Sequence, residues 1–146
     1  MNEDPSDVSD VPPRWFKVCA GLALVWNLIG AAAFVAQMNM DLTALPVEQQ
    51  AFYRGVPWWA NTAFGVAVFA GTAGCVALLL RRRLALTLFL ISLIGLLVQL
   101  GHAFVLGKGI QTFGVAGLVM PVLTCGIAVA LLVLARRASA RGWCRA

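Results

Sequence analysis

Charge is sparse in this 146-residue chain: 12% of residues are Asp, Glu, Lys or Arg, and histidine and tyrosine occur once each. An ordinary soluble domain carries about 25% charged residues, so the scarcity excludes a water-exposed surface over most of the molecule. The six carboxylates are Glu3, Asp4, Asp7, Asp10, Asp41 and Glu48, all outside the long apolar stretches. A small multidrug exporter that trades a proton for its substrate needs a carboxylate inside the membrane, so their absence from the spans argues against that class. A single histidine excludes a bis-histidine haem site, and no Cys or His spacing resembles a zinc site. No nucleophile, acid and base lie at usable spacing, so the expectation is a protein that is not an enzyme and holds no cofactor or metal.

What the chain has in abundance is apolar surface, with 61% of its residues hydrophobic. A helix rises about 1.5 Å per residue and needs about 20 residues to cross roughly 30 Å of hydrocarbon. Four runs meet that length: Trp15 to Gln37, Pro57 to Leu80, Leu84 to Leu106 and Thr112 to Ala135. They are spans 1 to 4 of an expected all-α membrane protein, with a transmembrane domain over residues 14–137. Lys17 is the one charged residue inside them, shallow enough to snorkel. Spans 2 and 3, and spans 3 and 4, are joined too tightly to be anything but antiparallel neighbours, giving an antiparallel bundle.

The basic residues explain the net charge of +5 without a nucleic-acid partner. Arg14, Lys17, Arg81, Arg82, Arg83, Arg136, Arg137, Arg141 and Arg145 flank one side, and Arg54 and Lys108 the other. By the positive-inside rule both termini and the Arg81-Arg82-Arg83 turn are expected in the cytoplasm, with residues 38–56 and the Gly107-Lys108-Gly109 turn outside. Trp15 and Trp143 then mark the inner interface, and Trp58 and Trp59 the outer one. The arginine turn is a topology signal that also attracts anionic headgroups of the bilayer. Residues 1–13 read as a disordered acidic cytoplasmic tail and residues 138–146 as a basic one. The first apolar run is too long for a cleaved signal peptide.

None of Cys19, Cys75, Cys125 and Cys144 falls on the outer side, which excludes a thiol oxidase with paired outer cysteines. They read as reduced packing residues. The outer loop holds an expected short helix, with Pro46 at its first turn, Glu48 near its positive end, and Gly55 and Pro57 as stop signals. A spacer and a lid over the bundle are both open. Pro121, after Gly114 and Gly117, predicts a kink in span 4.

The candidate site lies in spans 1 to 3. Ser92, Gly95, Gln99 and His102 recur at intervals of three, four and three, which places them on one helix face. Asn27 lies near the middle of span 1, and Asn61 near the outer end of span 2. Where these spans meet, Asn27, Asn61, Gln99 and His102 are expected to line one outward-facing polar pocket for a small neutral solute, with Ser92 on the same face. The same amides also serve as interhelical glue worth roughly 1 kcal/mol without any ligand. Small residues at Ala63, Ala67 and Gly71 suit close helix packing, either in a homo-oligomer or against another membrane protein. Leu28-Ile29-Gly30 echoes Leu93-Ile94-Gly95, and Phe64-Gly65-Val66-Ala67 echoes Phe113-Gly114-Val115-Ala116, a pattern expected of a duplicated two-helix unit.

The segments Pro13-Arg14-Trp15-Phe16, Val25-Trp26-Asn27-Leu28-Ile29-Gly30, Met40-Asp41-Leu42-Thr43-Ala44-Leu45-Pro46 and Gly74-Cys75-Val76-Ala77-Leu78-Leu79-Leu80-Arg81 resemble those of small bacterial four-helix membrane proteins. Those proteins are mostly uncharacterised, and some carry the label "sugar transporter". The resemblance covers nearly the whole chain from Pro13 onward and implies a bacterial inner-membrane location and transport. It brings no assigned site residues. Two functions are therefore expected: uncoupled transport of a small neutral polar solute such as a sugar, or an accessory subunit that docks another membrane protein.

Overall fold

The computed structural model describes residues 12–106 and 108–144. The expected acidic tail up to residue 11, Gly107 and Arg145 lie outside the described residues. The chain is a multi-pass all-α membrane protein. Its helices are α1 (Arg14–Met38), α2 (Val47–Arg54), α3 (Trp58–Leu79), α4 (Leu84–Gly101), α5 (Gly109–Phe113) and α6 (Val119–Ala140). A π-helical turn, His102–Leu106, prolongs α4, and a 3-10 turn, Val115–Leu118, precedes α6. The four segments long and apolar enough to span a membrane are Arg14–Met38, Trp58–Leu79, Leu84–Leu106 and Val115–Ala140.

Prolines open three of these helices. Pro13, Pro46 and Pro57 each sit just before the first helical residue, where their fixed φ near −60° directs the chain into the helix and no intrahelical N–H is required. Glu48 in the first turn of α2 and Arg54 in its last turn complement the helix dipole.

Glycine sets how α3 and α4 pack. A Cβ on Gly95 of α4 would lie 2.7 Å from the carbonyl oxygen of Ala63, and one on Gly74 of α3 would lie 2.8 Å from the Phe89 ring. The two helices run against each other in this register, and the hydroxyl of Ser92 donates to the Ala67 carbonyl at 2.6 Å. The Ala63, Ala67 and Gly71 stripe therefore faces this chain's own helices.

One contiguous core fills the half of the bundle at the Arg81–Arg83 turn. It joins Phe16, Ala20 and Ala23 of α1 to Cys75 and Leu78 of α3, Ala85 and Phe89 of α4, and Leu131, Ala135 and Ala138 of α6. Trp143 and Cys144 belong to the same core. The expected basic tail 138–146 thus divides: helix α6 continues through Ala140, and the next residues fold back. Trp143 is 6% exposed, with its ring packed edge-on to Phe16 at 5.5 Å and Trp15 at 6.2 Å. An indole removed from water in this way outweighs the charge of the flanking arginines in deciding where the segment lies.

Two matching C-caps make that return possible. After α3, Arg81 adopts φ 60°, its N–H donates to Leu78, and the Arg82 N–H donates to Ala77 at 2.8 Å. After α6, Gly142 adopts φ 71°, its N–H donates to Ser139, and the Trp143 N–H donates to Ala138 at 2.9 Å. Both are Schellman motifs, which satisfy carbonyls otherwise orphaned at a helix end. The Arg81 side chain then links them, its Nε donating to the Trp143 carbonyl at 2.8 Å.

Span 4 differs from expectation at both ends. Residues 112–118 do not begin a continuous helix, because Gly114 takes φ 66° and turns the chain between α5 and the 3-10 segment. Pro121 falls in the first turn of α6 and not in its interior. Its missing N–H would have no intrahelical partner there, so the expected kink has no cause and α6 is continuous. The echoed tetrapeptides also part company: Phe64-Gly65-Val66-Ala67 is mid-helix in α3, whereas Phe113-Gly114-Val115-Ala116 spans the break. The sequence echo is not a structural repeat.

Candidate functional site

A cavity of about 510 Å³ occupies the half of the bundle opposite the arginine turn. Gln37 at the end of α1, Asn61 near the start of α3, and Gln99 and His102 at the end of α4 supply its polar wall. The apolar wall is largely aromatic, with Phe52, Phe64, Phe104 and Phe113, and Tyr53 adds a ring with a hydroxyl. No charged side chain is among the lining residues. The cavity is therefore an apolar enclosure with a few hydrogen-bonding groups on one side, the usual chemistry of a small-molecule site.

The lining amides differ from those deeper in the bundle. Among the described residues, the side chains of Gln37, Asn61, Gln99 and His102 make no hydrogen bond to the protein. They are not sealed from the cavity, since among the described residues no buried side-chain nitrogen or oxygen is left without a partner. The His102 ring stands edge-on to Trp59 at 5.2 Å, which fixes its plane. His102 also opens the π-helical turn, where i to i+5 geometry replaces the α-helical repeat and shifts the side chains beyond it around the helix axis.

Asn27 and Ser92 lie elsewhere. The Asn27 amide donates to the Ala23 carbonyl at 2.9 Å and to the Cys75 sulfur at 3.5 Å. Its oxygen and the Ser92 hydroxyl crowd Gly71, where an added Cβ would press on both side chains. Both residues line a separate void of about 50 Å³. Phe64, Leu96 and Thr124 border the void and the cavity alike and form the floor between them. The five candidate residues thus divide by chemistry, Asn61, Gln99 and His102 facing open space and Asn27 and Ser92 bonded within the helix junction.

The segment between α1 and α3 roofs the cavity. Phe52 and Tyr53 of α2 meet Phe113 of α5 edge-to-face, with centroids 5.0 and 6.2 Å apart. The α2 rings thereby form part of the cavity wall. Asp41 caps the 3-10 turn Leu42–Ala44 ahead of it, accepting from the Thr43 hydroxyl and N–H at 2.7 and 2.9 Å. These two donors hold the Asp41 carboxyl below its ordinary range.

Gln37, Tyr53, Phe113 and Thr124 were not legible as cavity residues. Each sits at an element end or in a segment whose path depends on Gly114, so local periodicity does not place it. Among the described residues, no group of three or more His, Cys, Asp or Glu side chains comes together to hold a metal ion. No protein-family model, curated protein or solved structure matches the chain.

Proposed function

We propose that the protein is a bacterial inner-membrane carrier that binds a small, neutral, hydroxyl-bearing solute in this cavity and moves it without ion coupling. The observation that carries the reading is the set of unpartnered amides, Gln37, Asn61 and Gln99, facing a charge-free aromatic cavity. Amides donate and accept, which suits hydroxyl groups, and aromatic rings suit the apolar face of such a solute. No carboxylate lies in the spans, so exchange of a proton on a membrane carboxylate is not available to drive uptake. The nine-to-two split of basic flanks supports an antiparallel bundle with both termini in the cytoplasm. The cavity then opens outward while the packed core closes the cytoplasmic half. Arg82 and Arg83 are exposed at that turn, where each adds about 1 kcal/mol of attraction to anionic headgroups.

Flux into proteoliposomes tests the reading, with a panel of radiolabelled monosaccharides and polyols. The expected result is saturable flux that survives collapse of proton and sodium gradients. Gln99→Leu is expected to lower it about tenfold or more, the factor for losing a hydrogen bond worth roughly 1.4 kcal/mol. Equal flux in a folded Gln99→Leu variant overturns the site. An accessory role draws less support, because Ala63, Ala67 and Gly71, the face it relied on, pack within the chain. Native mass spectrometry from the host membrane separates a homo-oligomer with bound solute from a complex with a different membrane protein.

A further inference from the structure

A second space lies behind one wall of the cavity. A groove of about 460 Å³ runs between α4 and α6 on the outside of the bundle, bounded by Leu97, Gly101, Val122 and Cys125 together with Leu100, Phe104 and Pro121. Those last three residues also line the cavity, so one thin partition separates the two spaces. The groove is apolar throughout and lies within the spans, where Leu97 is 55% and Val122 66% exposed on the surface that faces lipid. The backbone is irregular on both sides of it. The π-helical turn follows Gly101 in α4, and the 3-10 turn after Gly114 leads into α6. Irregular backbone at membrane depth is characteristically found beside a cavity.

Resting on the solute reading above, we infer that the ligand is a single-chain amphiphile: its neutral, hydroxyl-bearing head occupies the cavity against Asn61 and Gln99, and its apolar tail lies in the groove between α4 and α6. Such a ligand reaches the site sideways from the bilayer. The cavity lining holds no Asp, Glu, Lys or Arg, so an ionic head would lose its hydration without gaining a permanently charged partner, which favours a neutral head. Only Leu100, Phe104 and Pro121 stand between the two spaces, and one molecule uses both when the Leu100 and Phe104 side chains swing aside.

Gly101 provides a selective test. It borders the groove and not the cavity, and a Cβ there meets nothing within 4 Å, so the helix accepts a side chain that fills the groove. The probe is n-octyl β-D-glucoside with a diazirine at the end of its tail, applied below its micellar concentration to the full chain in lipid nanodiscs. Photoadducts are mapped by mass spectrometry. The expected result is saturable labelling confined to residues 97–106 and 118–125. Unlabelled octyl glucoside is expected to compete at least about tenfold better than glucose, because only it fills both spaces. Labelling is expected to fall several-fold in Gly101→Phe and in Gln99→Leu, with helicity and melting of both variants checked by circular dichroism. Gly101→Leu repeats the test with a smaller group.

The failures are distinct. Glucose competing as well as octyl glucoside, with both dependent on Gln99, overturns the tail site and leaves the solute reading standing. Labelling spread evenly over lipid-facing residues, unsaturable and unchanged in Gly101→Phe, overturns the tail site as ordinary lipid contact. Labelling and glucose binding that both ignore Gln99→Leu overturn the head site and the solute reading together.

Discussion

At Gly95 the chain has no room for a single added carbon, since the Ala63 carbonyl oxygen lies 2.7 Å from where a Cβ would go and belongs to a backbone that yields little. Gly126 has nothing within 4 Å of its own Cβ position. Gly95→Ala is therefore expected to destabilise by about 1–3 kcal/mol, as overpacking does. Gly126→Ala is expected to be neutral or to stabilise by about 0.5–1 kcal/mol, because alanine loses less backbone freedom in a helix. Thermal unfolding of the two variants in the same detergent gives the comparison.

Asp41 offers a residue-scale pH effect. Its carboxyl is held low by the Thr43 hydroxyl and N–H, so the folded loop binds its proton less readily than the unfolded chain does. Its contribution is fully present above the unfolded carboxylate value and is lost as pH falls through the lower folded value. The protection factor of the Thr43 amide is expected to fall as the solution is acidified through that window. Asp41→Asn is expected to flatten the dependence, since a neutral amide oxygen accepts at every pH.

At the scale of elements, the clearest device is the pair of Schellman caps bridged by Arg81. The left-handed position after α3 favours glycine, and a non-glycine residue there costs about 1–2 kcal/mol. What arginine supplies in return is a side chain that reaches the Trp143 carbonyl. The Arg141 guanidinium lies 5.2 Å from the Trp143 ring and adds a second hold on the same residue. Burial pushes the neighbouring Cys144 thiol up from its ordinary value, while Ser139 and the charges of Arg81 and Arg83 act in the other direction.

Arg81→Gly keeps the cap and removes the bridge. Cys144 is then expected to react with a soluble maleimide about fivefold faster or more, the factor for about 1 kcal/mol of easier local opening. Labelling of inside-out membrane vesicles measures it, with Cys144→Ser to identify the signal. Loss of the Arg81 charge alone would raise the thiol further and slow the reaction. The sign of the change therefore separates release of the segment from simple electrostatics.

The whole molecule is unequal along its length. One half holds the contiguous core of Phe16, Leu78, Phe89, Leu131 and Trp143, and the other holds the cavity and its α2 roof. Local stability follows buried contact, so amide hydrogen exchange is expected to be slower in residues 72–78 of α3 than in residues 58–64 of the same helix. Hydrogen exchange with mass spectrometry in nanodiscs reads both segments of one peptide chain, so lipid shielding at comparable depth is matched. On the proposed reading, the same asymmetry supplies the closed end and the open end of a carrier.

Local information determined the four spans, because a run of about 20 apolar residues has only one stable arrangement in lipid, a helix that satisfies its own backbone. It also determined the α2 helix between its prolines and glycine, the tight Arg81-Arg82-Arg83 turn, and the face shared by Gln99 and His102, since each rests on neighbours a few residues away. Tertiary structure alone decided that Asn27 and Ser92 bond within the helix junction while Asn61 and Gln99 face a cavity, for polar side chains of similar hydrogen-bonding capacity differ only in what other helices bring beside them. It decided likewise that Gly114 turns the chain before α6 and that Trp143 returns to the core. Those outcomes depend on contacts between segments such as Phe16 and Trp143, far apart in the chain, and no local pattern of residues encodes them.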